Sequence, residues 1–162
     1  MKSAVALLFA LSTSWLSQEP QAEPARVEVK MPVKVGAPGA TLKGKMLVTF
    51  APGWHGYQNP PTNDYEIPLK IETKAPGFVL KVNYPKGEMK EFAGSKTAMY
   101  EGTVELPFVL KLPKKPGAVG IKFDVVYQQC NSSSCLPPEA LFVTERITIK
   151  KPAAKPPSKR KP

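Results

Sequence analysis

Histidine and cysteine are almost missing from this chain. Its 162 residues hold one His and two Cys. That excludes a four-ligand His/Cys zinc site, a c-type haem attachment, and a Ser-His-Asp triad with residues to spare. Long apolar runs are missing too. The longest, residues 4–11, falls well short of the roughly 20 residues that a bilayer-spanning helix needs. No stretch reads as a capped amphipathic helix, and no internal repeat is visible. Proline, by contrast, is abundant: 19 residues, about twice ordinary usage. Interior prolines break helices, and in sheets they are confined to edges and strand ends. The length allows one domain with one core. A small, Pro-punctuated, all-β domain follows.

The two ends differ from the middle. Residues 1–22 read as a secretory signal, with Lys2 as the positive start and Ala4 to Leu11 as its apolar stretch. Ala22 or Ala25 would be the last residue removed; a buried N-terminal helix is the alternative. The expected location is periplasmic or secreted, where disulfides persist. Residues 150–162, KKPAAKPPSKRKP, contain six basic residues, four prolines and no acid. Such a segment cannot bury enough apolar surface to fold, so a disordered basic Pro/Lys-rich tail is expected. It carries +6 of the net charge of +10. Weak contact with an anionic surface is one use for it, and a merely solvated tail is the plainer reading. No aromatic residue interleaves the lysines, so no specific nucleic-acid partner is expected.

Between the ends, residues 23–149, the apolar period is two. Val27, Val29, Met31, Val33 and Val35 alternate with polar residues and Pro32, which predicts one strand over 27–35. Further runs fall at 42–50, 67–71, 78–84, 103–112, 121–130 and 141–149. Turn signals separate them, among them Ala51-Pro52-Gly53, Pro76-Gly77 and Pro85-Lys86-Gly87. Seven or eight short strands in this span predict an immunoglobulin-like two-sheet sandwich. Met31 and Met46 fit strand alternation, so they read as core rather than as thioether ligands for Cu(I). Trp54 reads as core or rim and His55 as a loop residue with no obvious link to the thiols. No metal and no cofactor are expected.

The chemistry, if any, lies in Tyr127-Gln128-Gln129-Cys130-Asn131-Ser132-Ser133-Ser134-Cys135-Leu136-Pro137-Pro138. Asn and Ser favour tight turns through side-chain to backbone hydrogen bonds. Such a turn can bring two cysteines within disulfide reach. Closing so short a loop restrains the unfolded chain by only about 2 kcal/mol. A local bridge is therefore a poor staple but well placed for exchange, with either sulfur open to approach. Two cysteines suffice for exchange, one attacking and one resolving. From spacing alone a hairpin staple and an exchanging pair remain equally open. A Cys-His nucleophile of the protease kind lacks an orienting partner.

The run YQQCNSSSCLPPE resembles the active-site segment of the N-terminal periplasmic domain of the thiol:disulfide interchange protein DsbD. The match covers Tyr127, Gln128, Cys130, Cys135, Pro137, Pro138 and Glu139. Gly53-Trp54-His55, Glu91-Phe92-Ala93-Gly94, Tyr100-Glu101-Gly102 and Leu106-Pro107 fall in that family's order, so the likeness spans about residues 27–149. It implies an immunoglobulin-like sandwich that takes electrons from a thioredoxin-like protein or membrane electron carrier and passes them to disulfide-bearing periplasmic proteins. It also implies that Cys135 is the nucleophile, that Cys130 resolves, and that Phe92 caps the pair with Glu91 and Tyr127 nearby. Phe92 as ordinary core is the competing reading. The loop between the cysteines is one residue shorter than in the best-known members, and Lys90 stands where acids are often found, leaving Glu91 as the acidic group. Full DsbD continues into membrane and thioredoxin-like domains, so electrons here would come from a separate protein. A non-catalytic immunoglobulin-like binding or adaptor module with a structural hairpin disulfide is the alternative; a metal-handling domain is a distant third.

Overall fold

A computed structural model describes residues 23–92 and 94–151, and among them every regular element is a strand. The expected signal, residues 1–22, and the tail from residue 152 lie outside the described residues. Twelve strands follow in order: β1 (Arg26–Lys30), β2 (Val35–Gly36), β3 (Thr41–Thr49), β4 (His55–Tyr57), β5 (Lys70–Thr73), β6 (Val79–Val82), β7 (Glu88–Phe92), β8 (Ser95–Glu101), β9 (Thr103–Lys111), β10 (Gly117–Tyr127), β11 (Gln129–Cys130) and β12 (Glu139–Ile149). They form three four-stranded sheets, ordered β1-β3-β9-β6, β2-β12-β10-β5 and β11-β4-β8-β7.

The first two sheets make the sandwich. Val104, Leu106, Phe108 and Leu110 alternate inward along β9, and Ile121, Phe123 and Val125 do the same along β10. Phe108 and Phe123 meet across the gap with ring centroids 5.6 Å apart. Met31 and Met46 are buried in this core, as the alternation requires.

The strand expected over 27–35 is broken. β1 pairs with β3 only as far as Lys30, after which Met31 turns into the core. Pro32 has no N–H to continue the ladder. The chain then crosses to the other sheet, where Val35 and Gly36 run parallel to the end of β12. Val33 and Val35 are 53% and 43% exposed, so their place in the alternation does not carry them into the core.

The sandwich also carries a third, smaller sheet that periodicity does not announce. Thr97, Ala98, Met99 and Tyr100 on β8 are all buried, because β8 is covered on both faces, and such a run has no period of two. β7, Glu-Met-Lys-Glu-Phe, is too charged to read as a strand. Residues 55–57 can lie flat on the core because residue 56 is glycine; a Cβ there would strike the buried Phe50 ring. This sheet sits at the end of the sandwich where Tyr127 pairs with Glu139. The opposite end is marked by the pairing of Gly117 with Ile149. At about 3.3 Å per residue, β10 separates the two ends by roughly 33 Å.

Candidate functional site

Cys130 ends β11 and lies opposite His55 of β4 in an antiparallel pairing. The chain then turns on Asn131. Its Oδ1 accepts from the backbone N–H of Ser133 (2.9 Å) and Ser134 (2.8 Å), and its own N–H donates to the Ser134 carbonyl at 2.8 Å. Past the turn, Leu136 N–H donates to the Gln129 carbonyl (2.9 Å), and Gln128 Nε2 donates to the Leu136 carbonyl (2.9 Å). The loop thus closes on itself and joins Cys130 to Cys135 as a disulfide with Cα atoms 4.0 Å apart.

The two sulfurs are not equivalent. Cys130, at the end of β11 and paired with β4, is 0% exposed, whereas Cys135 lies beyond the turn and is exposed. The expectation that either sulfur could be approached is corrected here. Cys130 is covered where β11 pairs with β4, whereas Cys135, past the turn, stays exposed.

Tyr57, which sequence reasoning did not single out, reaches both. Its hydroxyl donates toward Cys130 Sγ at 3.3 Å and lies 3.7 Å from Cys135 Sγ. Burial, with the nearby negative charge of Glu66 and then Tyr65, raises the Tyr57 pKa, so it stays a protonated donor through the neutral range. Glu66 is itself buried and accepts from Thr62 N–H (2.8 Å), Asn63 Nδ2 (2.6 Å) and Thr97 Oγ1 (2.8 Å). That network pins the loop after Tyr57 against β8. No sequence signal marked Tyr57, since no strand was expected over residues 55–57 and His55 read as a loop residue.

His55 is no loop residue. It is 5% exposed, and its ring meets Phe92 edge-on at 5.0 Å and Tyr57 at 5.9 Å. Among the described residues its Nε2 has no hydrogen-bond partner. Burial lowers its pKa; Glu101 opposes that and Lys90 adds to it. The imidazole is therefore neutral and apolar in behaviour, a surface for Phe92 to rest on. Among the described residues no three His, Cys, Asp or Glu side chains converge as a metal site.

Residues 21–146 match the family described as thiol:disulfide interchange protein DsbD, N-terminal. The chain belongs to the DsbD N-terminal domain family. Its fold is shared with the N-terminal periplasmic domain of ScsB from Proteus mirabilis, at 19% identity and a TM-score of 0.59, covering 85% of this chain and 51% of that one. The chain thus spans about half the length of that protein. The DsbD N-terminal domain of Neisseria meningitidis in its reduced form is 18% identical, with a TM-score of 0.47 over 75% of this chain and 85% of that one. No curated protein matches the chain significantly in sequence.

Within this DsbD N-terminal domain, the residues expected at the site divide in two. Phe92 ends β7, half-buried against His55, just before the turn at Gly94 (φ 77°). Glu91 beside it is exposed. Lys90 bonds Glu101 at 2.6 Å and sits 3.5 Å from Glu88, so it ties β7 to β8. Tyr127 instead serves the core. Its hydroxyl donates to Glu139 Oε2 at 2.6 Å and accepts from Ala25 N–H at 3.2 Å, and its ring meets Phe50 edge-on at 6.1 Å. Burial, then the bond to Glu139, pushes its pKa far above the ordinary range. The phenol bonded to the sulfurs is Tyr57; the hydroxyl of Tyr127 anchors the N-terminal segment.

Proposed function

We propose that this chain is an exported thiol:disulfide exchange protein, carrying electrons from a thioredoxin-like donor or membrane carrier to disulfide-bearing periplasmic proteins through Cys130 and Cys135. The observation that carries this reading is the asymmetry of the pair, one sulfur fully buried and its partner exposed. Exchange proceeds by in-line attack of a thiolate on one sulfur while the other leaves. Attack is therefore directed to Cys135, the more exposed of the two sulfurs.

The steps balance as follows. A donor thiolate attacks Cys135 Sγ, the donor–Cys135 bond forms, the Cys130–Cys135 bond breaks, and Cys130 departs with the electron pair. Tyr57 donates its hydrogen bond to that departing sulfur, where burial would otherwise make the charge costly. The donor's second thiol then displaces Cys135, leaving the donor oxidised and this chain a dithiol. In the second half, the Cys135 thiolate attacks an acceptor disulfide, and Cys130 resolves the mixed disulfide. No cofactor takes part. Phe92, resting on the neutral His55 ring, acts as the cap that limits access to the pair until a partner docks.

Trapping tests the assignment. Cys130→Ala should accumulate a mixed disulfide through Cys135 with a thioredoxin-like partner, and Cys135→Ala should accumulate little. Equal trapping by both variants would refute the roles. The reduction potential separates this reading from a structural hairpin staple: a pair below about −300 mV is a staple, and an exchanging pair lies higher.

A further inference from the structure

Charge is divided between the two ends of the sandwich. The end away from the cysteines is built from residues 36–40, 76–79 and 112–117 and from residues 150–151, where the chain leaves β12. Backbone bonds tie these segments together: Gly39 N–H to the Pro113 carbonyl, Leu112 N–H to that of Ala40, and Lys150 N–H to that of Gly36. Lys114, Lys115, Lys150 and Lys151 are all exposed there, and none of these segments contains an Asp or Glu. These four make no ion pair among the described residues. Val33, Val35 and Val79 are exposed around the same end. Beyond Lys151 the sequence adds Lys155, Lys159, Arg160 and Lys161 and no acid. The cysteine end has the opposite balance, with Glu23, Asp64, Glu88, Glu91, Glu101 and Glu139 outnumbering Arg26, Lys86, Lys90 and Lys96.

We propose that this basic end docks on an anionic phospholipid bilayer, which holds the cysteine end roughly 33 Å out from the surface. Each lysine near an anionic leaflet contributes an attraction that falls off within a Debye length, about 10 Å at 0.1 M salt. The cysteine end lies well beyond that range, and its acids are repelled by the leaflet, so charge sets the orientation as well as the contact. Lysine stems and exposed valines suit the headgroup region, where apolar stems lie flat and ammonium groups meet phosphate. Nucleic acid is the poorer fit, since no aromatic residue among the lysines can stack a base. Docked in this way, Cys135 faces the compartment rather than the lipid. A soluble partner can then reach it while the chain stays at the membrane.

The test is vesicle co-sedimentation of the exported chain. Vesicles of phosphatidylcholine with roughly 30% phosphatidylglycerol should bind at about 0.02 M salt and release at about 0.5 M, and phosphatidylcholine alone should not bind. Lys114→Glu with Lys115→Glu should lower partitioning by about tenfold or more, since each lysine near the surface is worth roughly fivefold. Lys86→Glu with Lys96→Glu, at the other end, should not lower it. Unchanged melting checks that both variants fold. Orientation is read separately: after reduction with dithiothreitol, a bulky polyethylene-glycol maleimide should label Cys135 equally fast with and without vesicles. That readout needs no redox partner, so it stands or fails independently of the exchange function. Equal binding to both lipids, wild-type binding by the Lys114/Lys115 variant, equal binding to duplex DNA at matched salt, or labelling slowed by vesicles would each overturn the proposal.

Discussion

Replacing Tyr57 by Phe removes one hydroxyl and leaves the ring in place. That hydroxyl lies 3.3 Å from the buried Cys130 sulfur, which under the proposed exchange would become the leaving thiolate when Cys135 is attacked. A hydrogen bond to a fully charged group is worth about 1.5–3 kcal/mol. The departing sulfur carries only part of its charge in the transition state, so about half of that stabilisation is at stake, close to the 1.4 kcal/mol that corresponds to a tenfold rate change. Reduction of the pair by dithiothreitol should therefore slow about tenfold in Tyr57→Phe. Fold stability should change by less than about 1 kcal/mol, because the phenyl ring still fills its place and a disulfide sulfur is a poor acceptor. Stopped-flow reduction with a thermal melt on the same sample reads both quantities. A small dithiol avoids any effect on partner docking. Reduction at the wild-type rate would show that Tyr57 merely packs beside the sulfurs, and the leaving-group argument would fail.

Two further outcomes follow from the same geometry. Phe92→Ala should raise alkylation of the reduced Cys135 several-fold, at a stability cost of only about 1–2 kcal/mol because the ring is half-buried; unchanged alkylation would place Phe92 in the packing and not over the pair. His55 has a folded pKa lowered below 6.5 by burial, so in acid the unfolded chain takes up its proton first. Stability should hold above about pH 6.5 and decline as pH falls from there toward the folded pKa. As the only histidine in the chain, it can be isolated by comparison: His55→Phe should melt with a shallower loss between pH 7 and 5, and an identical slope would mean the ring is not buried neutral.

The long strands were legible because each buries one face. β3, β9, β10 and β12 have an inner row that meets the opposing sheet, and a half-buried strand writes that contact as alternation. The same logic misread residues 31–35, where Pro32 ends the ladder and the chain changes sheets. It gave no sign of the third sheet. β8 is covered on both faces, β7 is charged, and β4 has three residues.

The cysteine pair was legible for a different reason. Its partners are five residues apart, so the turn chemistry of Asn131 and the serines is enough to bring them together. The rest of the site is assembled across long gaps in the chain. Tyr57 reaches Cys130 from 73 residues away, and His55 reaches Phe92 only because β4 and β7 share β8 as a neighbour. Tyr127, adjacent in sequence, gives its hydroxyl to Ala25 and Glu139 instead.

Composition and local pattern alone determined an all-β domain, a basic C-terminal segment and a short-range thiol pair, since each depends on residues close together in the chain. Tertiary pairing alone decided which sulfur is shielded, which phenol stands over it, and that lysines from separate loops gather at the end farthest from the cysteines. Those properties arise from neighbours that the sequence does not place side by side, so they exist only once the sheets have closed.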